Sequence, residues 1–128
     1  MIAGLGMDIV KTDRIKSLME KNGTAFLHKI LAEDEIKEFP RFPEAPVEKI
    51  AGKWAAKEAV AKALGCGFGE YCAIKDIHIL HDAKGAPYFV LTGAAEIYAE
   101  NLGIHKGHLS ITHEKEYAAA TAILEKLP

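Results

Sequence analysis

The chain has 128 residues, 49% of them hydrophobic and 27% charged, which is typical of a single globular domain spanning residues 1–128. Its net charge of −2 argues against nucleic acid as a partner. No apolar run approaches the roughly 20 residues needed to cross a bilayer, so we expect no membrane association. The N-terminus carries no basic leader and there are only two cysteines, which predicts a cytoplasmic protein with reduced thiols.

The chain is predicted to begin with a strand that carries an acid. Residues 2–10 alternate in polarity, and Asp8 falls on the face that also carries glycines. Thr12 and Asp13 are good N-cap residues for a helix that ends near residues 22–23.

The middle of the chain is predicted to be helical. A stretch from 26 to 39 is stopped by Pro40, and further prolines then predict a loop. The longest helix follows from about Val47 to Leu64, with Gly65 as its C-terminal cap. Residues 66–69 form a glycine-rich turn.

The last third is predicted to contain most of the sheet. The alanines of 117–124 favour a helix, whereas the close turn before them favours a hairpin strand, and we choose the strand. The chain is therefore predicted to be an α+β domain, with a mainly antiparallel sheet packed against one long helix. The other elements predicted here are strands at 74–80, 87–91 and 108–112 and a helix from 92 to 103.

The first helix and its surroundings are basic. Between residues 11 and 29 there are five basic and two acidic residues, a local balance of +3. Such a run is most often a solvated helix face, and the alternative is a docking surface for an acidic partner. The basic residues are Lys11, Arg14, Lys16, Lys21 and Lys29.

Glu58 is the residue of the long helix that most suggests chemistry. At helical spacing it falls on the stripe that includes Ile50 and Trp54, and a carboxylate on an inward face needs a partner or a metal. Lys62 lies four residues later, so a simple helix-stabilising Glu–Lys pair is the alternative. Because Lys53 and Lys57 add two more ammonium groups, we favour a site for a metal-bound polyphosphate.

Asp8 is the second candidate. An aspartate at a strand end is usually a turn residue, but the glycines beside it are expected to leave space for a ligand. Magnesium takes one or two protein carboxylates and completes its shell with water and phosphate oxygens. Asp8 and Glu58 would supply such a pair, although spacing does not show that they meet.

The histidines do not form a zinc site by their spacing. His78 and His81 point to opposite faces of a predicted strand. His113 follows Ser110 and Thr112 at a strand end, where hydroxyls and an imidazole suit a phosphate. The glycine-rich residues from Gly65 onward offer a weaker phosphate-binding signal.

Three blocks of sequence together resemble the holo-[acyl-carrier-protein] synthase family of 4′-phosphopantetheinyl transferases. They follow the family's order and spacing and cover nearly the whole chain. The blocks are GLGMDIV at 4–10 with Arg14–Ile15, WAAKEAVAKALG at 54–65, and LSITH at 109–113 with YAAA at 117–120.

The resemblance implies transfer of the phosphopantetheine arm of coenzyme A to a serine of an acyl carrier protein. It also implies the phosphopantetheinyl transferase fold, a homotrimer with the site at the subunit interface, and a role in fatty acid biosynthesis. The roles that it implies are Mg²⁺ ligation by Asp8 and Glu58, phosphate neutralisation by Lys62, 3′-phosphate binding by Lys53, Thr112 and His113, and carrier contact by Arg14. We add Lys57 and Gly65 as coenzyme-binding candidates and Lys21 as a second carrier contact.

The chain departs from the family pattern at Lys53, where an arginine is expected, and loses a bidentate phosphate contact there. Two other functions stay open from the residues alone. One is a non-catalytic module that binds coenzyme A or an acyl carrier. The other is a metal-dependent phosphoester hydrolase.

Overall fold

A long helix lies across one face of a three-stranded antiparallel sheet in the computed structural model, which describes residues 1–128. A separate two-stranded hairpin packs beside them, so the predicted α+β class is confirmed, with two sheets. The elements are β1 (Ile2–Lys11), α1 (Thr12–Asn22), α2 (Thr24–Ile30), α3 (Glu33–Ile36), α4 (Val47–Leu64), a 3₁₀ turn (Ile74–Asp76), β2 (Ile77–His81), β3 (Pro87–Leu91), α5 (Gly93–Asn101), β4 (Ile104–His113) and β5 (Tyr117–Lys126).

The alanine-rich final segment is the central strand of the larger sheet, whose order is β1-β5-β4. The strand prediction is confirmed here. Ala118, Ala120 and Ala122 are buried on the face toward α4, and their small side chains let the helix lie close to the sheet. Helix propensity is overridden because this strand pairs on both edges.

Two glycines of β1 bring α4 closer still. A Cβ at Gly6 would overlap the carbonyl oxygen of Ala59 and lie 2.6 Å from the nitrogen of Ala63. A Cβ at Gly4 would likewise overlap the Ala63 carbonyl. The prediction that these glycines leave space for a ligand is therefore wrong, because the backbone of α4 fills that space.

The helix α4 begins and ends where the sequence predicts. Gly65 caps it in the left-handed conformation, with φ 83°, and donates its N–H to the carbonyls of Ala61 and Lys62. Twelve of the 18 residues are buried, so the helix is enclosed on most sides by the sheet, α1 and the β2–β3 hairpin.

Three local predictions need correction. The stretch predicted as one helix over 26–39 is two helices, α2 and α3, because Leu31 is extended and the Glu35 side chain accepts the N–H of Ala32. The strand predicted from Ile74 begins at Ile77, after the 3₁₀ turn. Thr12 makes no cap, since its hydroxyl donates to the Lys115 carbonyl instead.

Both cysteines, Cys66 and Cys72, are free thiols. None of the helices combines the length and apolarity required of a membrane span.

Candidate active site

One edge of α4 is the part of the helix that faces outward, and it carries the predicted catalytic acid. Trp54 and Glu58 are half-buried and Lys62 is exposed, whereas Lys53, Lys57 and Ala61 on the neighbouring side are buried. The prediction that Glu58 interrupts the buried stripe is therefore wrong. Its line on the helix is the most accessible one, because α4 is buried nearly all round.

Asp8 comes to this same edge from β1. Its neighbours Gly6 and Val10 hold the strand against α4, so the Asp8 side chain emerges beside the second half of the helix. The Lys62 ammonium lies 3.1 Å from Asp8 Oδ1 and 3.1 Å from the Met7 carbonyl oxygen. The structure thus brings Asp8 to Glu58 and Lys62, which lie 50 or more residues later in the chain.

The negative charge of Asp8 acts on Glu58. Partial burial raises the pKa of Glu58, and the neighbouring negative charge of Asp8 raises it further. Lys62 and Arg14 act in the opposite direction and do not cancel the increase. A cation that binds beside Glu58 would favour its charged form and so offset this increase.

The chemistry of this pair fits a magnesium ion. Both side chains offer hard carboxylate oxygens, the type of ligand that Mg²⁺ prefers. Magnesium commonly uses two protein carboxylates and takes the remainder of its shell from water and substrate phosphates. Asp8 and Glu58 are the residues that would hold it.

Arg14 of α1 borders the same site. Its guanidinium lies 5.7 Å from the ring centre of Trp54, within the range of a cation–π contact, and it is close enough to influence Glu58. Lys21 is exposed two turns further along α1, and the spacing of seven residues places it on the same side as Arg14. Together they form a basic strip that leads to the carboxylate pair.

Lys57 is buried inside the protein and does not face a ligand site. Its side chain is fully buried and its ammonium lies 2.7 Å from Glu35 Oε1, with further hydrogen bonds to the carbonyls of Ile74 and Ile77. Burial lowers the pKa of Lys57, and Glu35 offsets part of that effect. All three N–H groups have acceptors, so none is available for the coenzyme contact that the sequence suggested.

Lys53 lies at the wall of a cavity of about 500 Å³. Its ammonium is 2.8 Å from Glu38 Oε1 and also bonds to the Ile79 carbonyl. The cavity has basic, acidic and imidazole groups on its walls, a mixture suited to an anionic ligand with polar substituents. The charged and histidine side chains lining it are Glu38, Glu48, Lys49, Lys53, His81 and His113.

Thr112 and His113 point to opposite faces of β4. His113 is on the α4 side, toward the cavity, whereas Thr112 is in line with Ala119 and Ile9 on the outer face. Within one chain the two side chains therefore do not converge on one phosphate. Gly65 lies at the other end of α4 as its cap.

Sequence reasoning missed the acids of α3 and Glu38, which lies two residues after that helix. Asp34 bonds to His78 at 2.8 Å, Glu35 to Lys57, and Glu38 to Lys53 and His81. Burial alone would raise the pKa of Glu38, but hydrogen bonds from Lys53 and His81 outweigh it and lower that pKa. The signal was present in the spacing, because Glu35 and Glu38 are three residues apart and Lys53 and Lys57 are four apart, so each pair lies on one side of a helical turn.

Known proteins place this arrangement in a family. The sequence profile described as the 4′-phosphopantetheinyl transferase superfamily matches residues 4–122. The chain belongs to this superfamily. The transferase is 44% identical to the holo-[acyl-carrier-protein] synthase of Solidesulfovibrio magneticus, over 98% of this chain and 99% of that relative.

Solved structures agree with the sequence comparison. This transferase is similar to the holo-[acyl-carrier-protein] synthase of Neisseria meningitidis, with a TM-score of 0.89 and 40% identity over 98% of this chain and 100% of that chain. It is also similar to the Helicobacter pylori synthase in complex with coenzyme A, with a TM-score of 0.82 and 30% identity over 94% and 99% of the two chains. The chain is therefore an enzyme of the holo-[acyl-carrier-protein] synthase type, which transfers phosphopantetheine from coenzyme A to an apo-acyl carrier protein.

The substitution Asp8→Asn is expected to lower the pKa of Glu58 in the metal-free transferase, because it removes the like charge. Lys62→Met is expected to raise it, because it removes an ammonium that favours the carboxylate. Carbon-13 NMR titration of the glutamate side-chain carboxyls measures both changes. If the Glu58 pKa does not move in Asp8→Asn, the two carboxylates do not form a pair.

Proposed function

We propose that Asp8 and Glu58 hold the Mg²⁺ ion that this transfer requires. The observation that carries the proposal is the meeting of two carboxylates and the Lys62 ammonium at the accessible edge of α4. When bound there, the ion would neutralise negative charge on the coenzyme A pyrophosphate.

The residues of the chain have distinct roles in this proposal. Lys62 stabilises charge that builds on the pyrophosphate as the carrier serine attacks its phosphorus. The bond from serine Oγ to phosphorus forms, and the bond to the leaving adenosine 3′,5′-bisphosphate breaks. The serine proton passes to a base at the site, either the Glu58 carboxylate or a water molecule held beside it.

The cavity beside Lys53 is proposed to take the adenosine 3′-phosphate. Lys53 and His113 supply cationic and imidazole donors, and Lys49 adds a second ammonium at the exposed wall. Since Thr112 points to the other face of the sheet, it would contribute to the cavity of a neighbouring copy rather than to its own.

The outer face of the large sheet supports assembly into a homotrimer. Leu5, Met7 and Ile9 are 62, 62 and 64% exposed in a row along β1, and Ile123 of β5 continues the row beside Leu5. Soluble proteins rarely leave so continuous an apolar strip in water. The trimeric state itself is taken from the family resemblance.

The two halves of the site also support assembly. The cavity lies at the first half of α4, next to Gly52 and Ile111 of β4, and the carboxylate pair lies at the second half, next to β1. Five residues separate Lys53 from Glu58, so their side chains point about 140° apart around the helix. A coenzyme that needs both groups would bind across two subunits.

The carrier is proposed to dock on the strip formed by Arg14 and Lys21, which ends at the carboxylate pair.

We also propose that the reaction supplies carriers for fatty acid biosynthesis in the cytoplasm, where both free thiols would stay reduced. Cell fractionation followed by the transfer assay tests the location. Transfer activity recovered outside the cytoplasmic fraction would contradict it.

Incubation with coenzyme A, Mg²⁺ and an apo-acyl carrier protein is expected to raise the carrier mass by one phosphopantetheine group. Glu58→Gln is expected to slow transfer at least about a hundredfold, and a chelator should stop it. Glu100→Gln, an exposed change on α5, is the matched control. An unmodified carrier with intact coenzyme would favour a binding module, and hydrolysed coenzyme with an unmodified carrier would favour a hydrolase.

Arg14→Ala is expected to raise the KM for the carrier about fivefold while changing the KM for coenzyme A much less, since one exposed ion pair is worth at most about 1 kcal/mol. The rise in the KM for the carrier caused by Arg14→Ala should be smaller at high salt, because salt screens exposed charges. Steady-state kinetics with each substrate varied in turn measures this. Lys16→Ala, on another side of α1, is the control, and equal effects on both KM values in Arg14→Ala would contradict docking.

Met7→Glu is expected to convert the trimer to monomers, because it places three charges in an apolar interface. Sedimentation velocity measures the molecular mass of the wild-type protein and of the Met7→Glu variant. Ile97→Glu on α5 is the control, since Ile97 is 60% exposed but does not belong to the apolar row on β1. Monomeric wild-type protein would refute the proposed assembly.

A further inference from the structure

Glu38 is held in place by more contacts than an ordinary surface glutamate. Its Oε2 accepts the backbone N–H of His81 at 2.8 Å, and its Oε1 lies 3.0 Å from His81 Nδ1. The same Oε1 accepts a hydrogen bond from Lys53 at 2.8 Å. The carboxylate is therefore fixed to β2, and it can in turn fix a residue of α4.

Lys53 is the residue that it fixes. Two of its three N–H groups have acceptors within hydrogen-bond distance, Glu38 Oε1 and the Ile79 carbonyl, while Glu35 Oε2 is 4.0 Å away. Two acceptors leave one N–H of Lys53 without a hydrogen bond, and Lys53 is among the residues that line the cavity. Lys57, one turn further along α4, differs because all three of its N–H groups have acceptors.

A flexible lysine gains from such support. A free lysine side chain loses conformational entropy when it binds an anion, and a lysine already fixed in one rotamer has lost it on folding. Lys53 is 2% exposed, with its ammonium 5.6 Å from the ring centre of Phe39, so it is confined on that side as well.

We propose that Glu38 is a positioning residue, which holds Lys53 ready for the 3′-phosphate and so lets the enzyme prefer coenzyme A over its 3′-dephospho form. The inference rests on the proposed function of the cavity. In this inference the Glu38 carboxylate strengthens binding of the 3′-phosphate, although both groups are negatively charged.

Glu48 provides a sharp comparison because it lines the same cavity and has no contact with Lys53. Glu38→Gln and Glu48→Gln each remove one negative charge near the phosphate. If only charge mattered, both changes would strengthen phosphate binding. If Glu38 positions Lys53, its loss weakens binding, and the two variants change the affinity in opposite directions.

The experiment measures KM and kcat for coenzyme A and for 3′-dephospho-coenzyme A in wild type, Glu38→Gln and Glu48→Gln. In Glu38→Gln the KM for coenzyme A is expected to rise about three- to tenfold, the effect of releasing one rotamer-rich side chain, while that for the dephospho form stays close to wild type. In Glu48→Gln the KM for coenzyme A should not rise. In calorimetric titration with adenosine 3′,5′-bisphosphate, Glu38→Gln should bind more weakly than wild type, and Glu48→Gln should not.

A double variant separates positioning from other effects. Adding Glu38→Gln to Lys53→Met should raise the KM for coenzyme A no further, because the residue to be positioned is gone. A lower KM for coenzyme A in Glu38→Gln would overturn the inference, because it would mean that Glu38 competes with the phosphate for Lys53. An equal rise in KM for both coenzymes would also overturn it, because it would indicate a general effect on the fold. If Lys53→Met leaves the KM for coenzyme A unchanged, or changes it equally for both coenzymes, the proposed role of the cavity is instead refuted.

Discussion

The contact between the backbone of α4 and the glycines of β1 determines where the site forms. Without side chains at Gly4 and Gly6, the strand lies directly against the carbonyl groups of Ala59 and Ala63. Asp8 is two residues from Gly6, and Glu58 precedes Ala59, so this contact also places the two acids together. The close packing of helix on strand and the meeting of Asp8 with Glu58 therefore have one cause.

A second constraint is the set of charges enclosed between α3, α4 and the β2–β3 hairpin. Glu35 and Lys57 are both fully buried, and a buried pair of this kind costs much of its attraction in lost hydration. Removing either partner leaves the other charge buried and unpaired, which lowers the free energy of unfolding by about 3–5 kcal/mol in measured cases. The pair joins α3 to α4, and hydrogen bonds from Ile79 to Glu35 and from Lys57 to Ile77 join both helices to β2. These contacts help to place Glu38 beside the cavity.

The sequence predicts the fold well where periodicity is regular. The bounds of α4 are correct because its cap at Gly65 is explicit, and β5 is correct because a short turn requires a hairpin. Sequence periodicity placed Glu58 wrongly because it assumes one buried face, whereas this helix is enclosed on most sides. The role of Lys57 was hidden because its partner Glu35 is 22 residues away and meets it only through tertiary packing.

The acids of α3 and the lysines of α4 also determine what the outer edge of β2 can do. The N–H groups of Ile79 and His81 donate to glutamate oxygens, and the carbonyls of Ile77 and Ile79 accept from lysines. Side chains thus occupy the donors and acceptors that an exposed strand would offer to another chain. This edge is closed to strand addition and to aggregation through β-pairing without the need for a further strand.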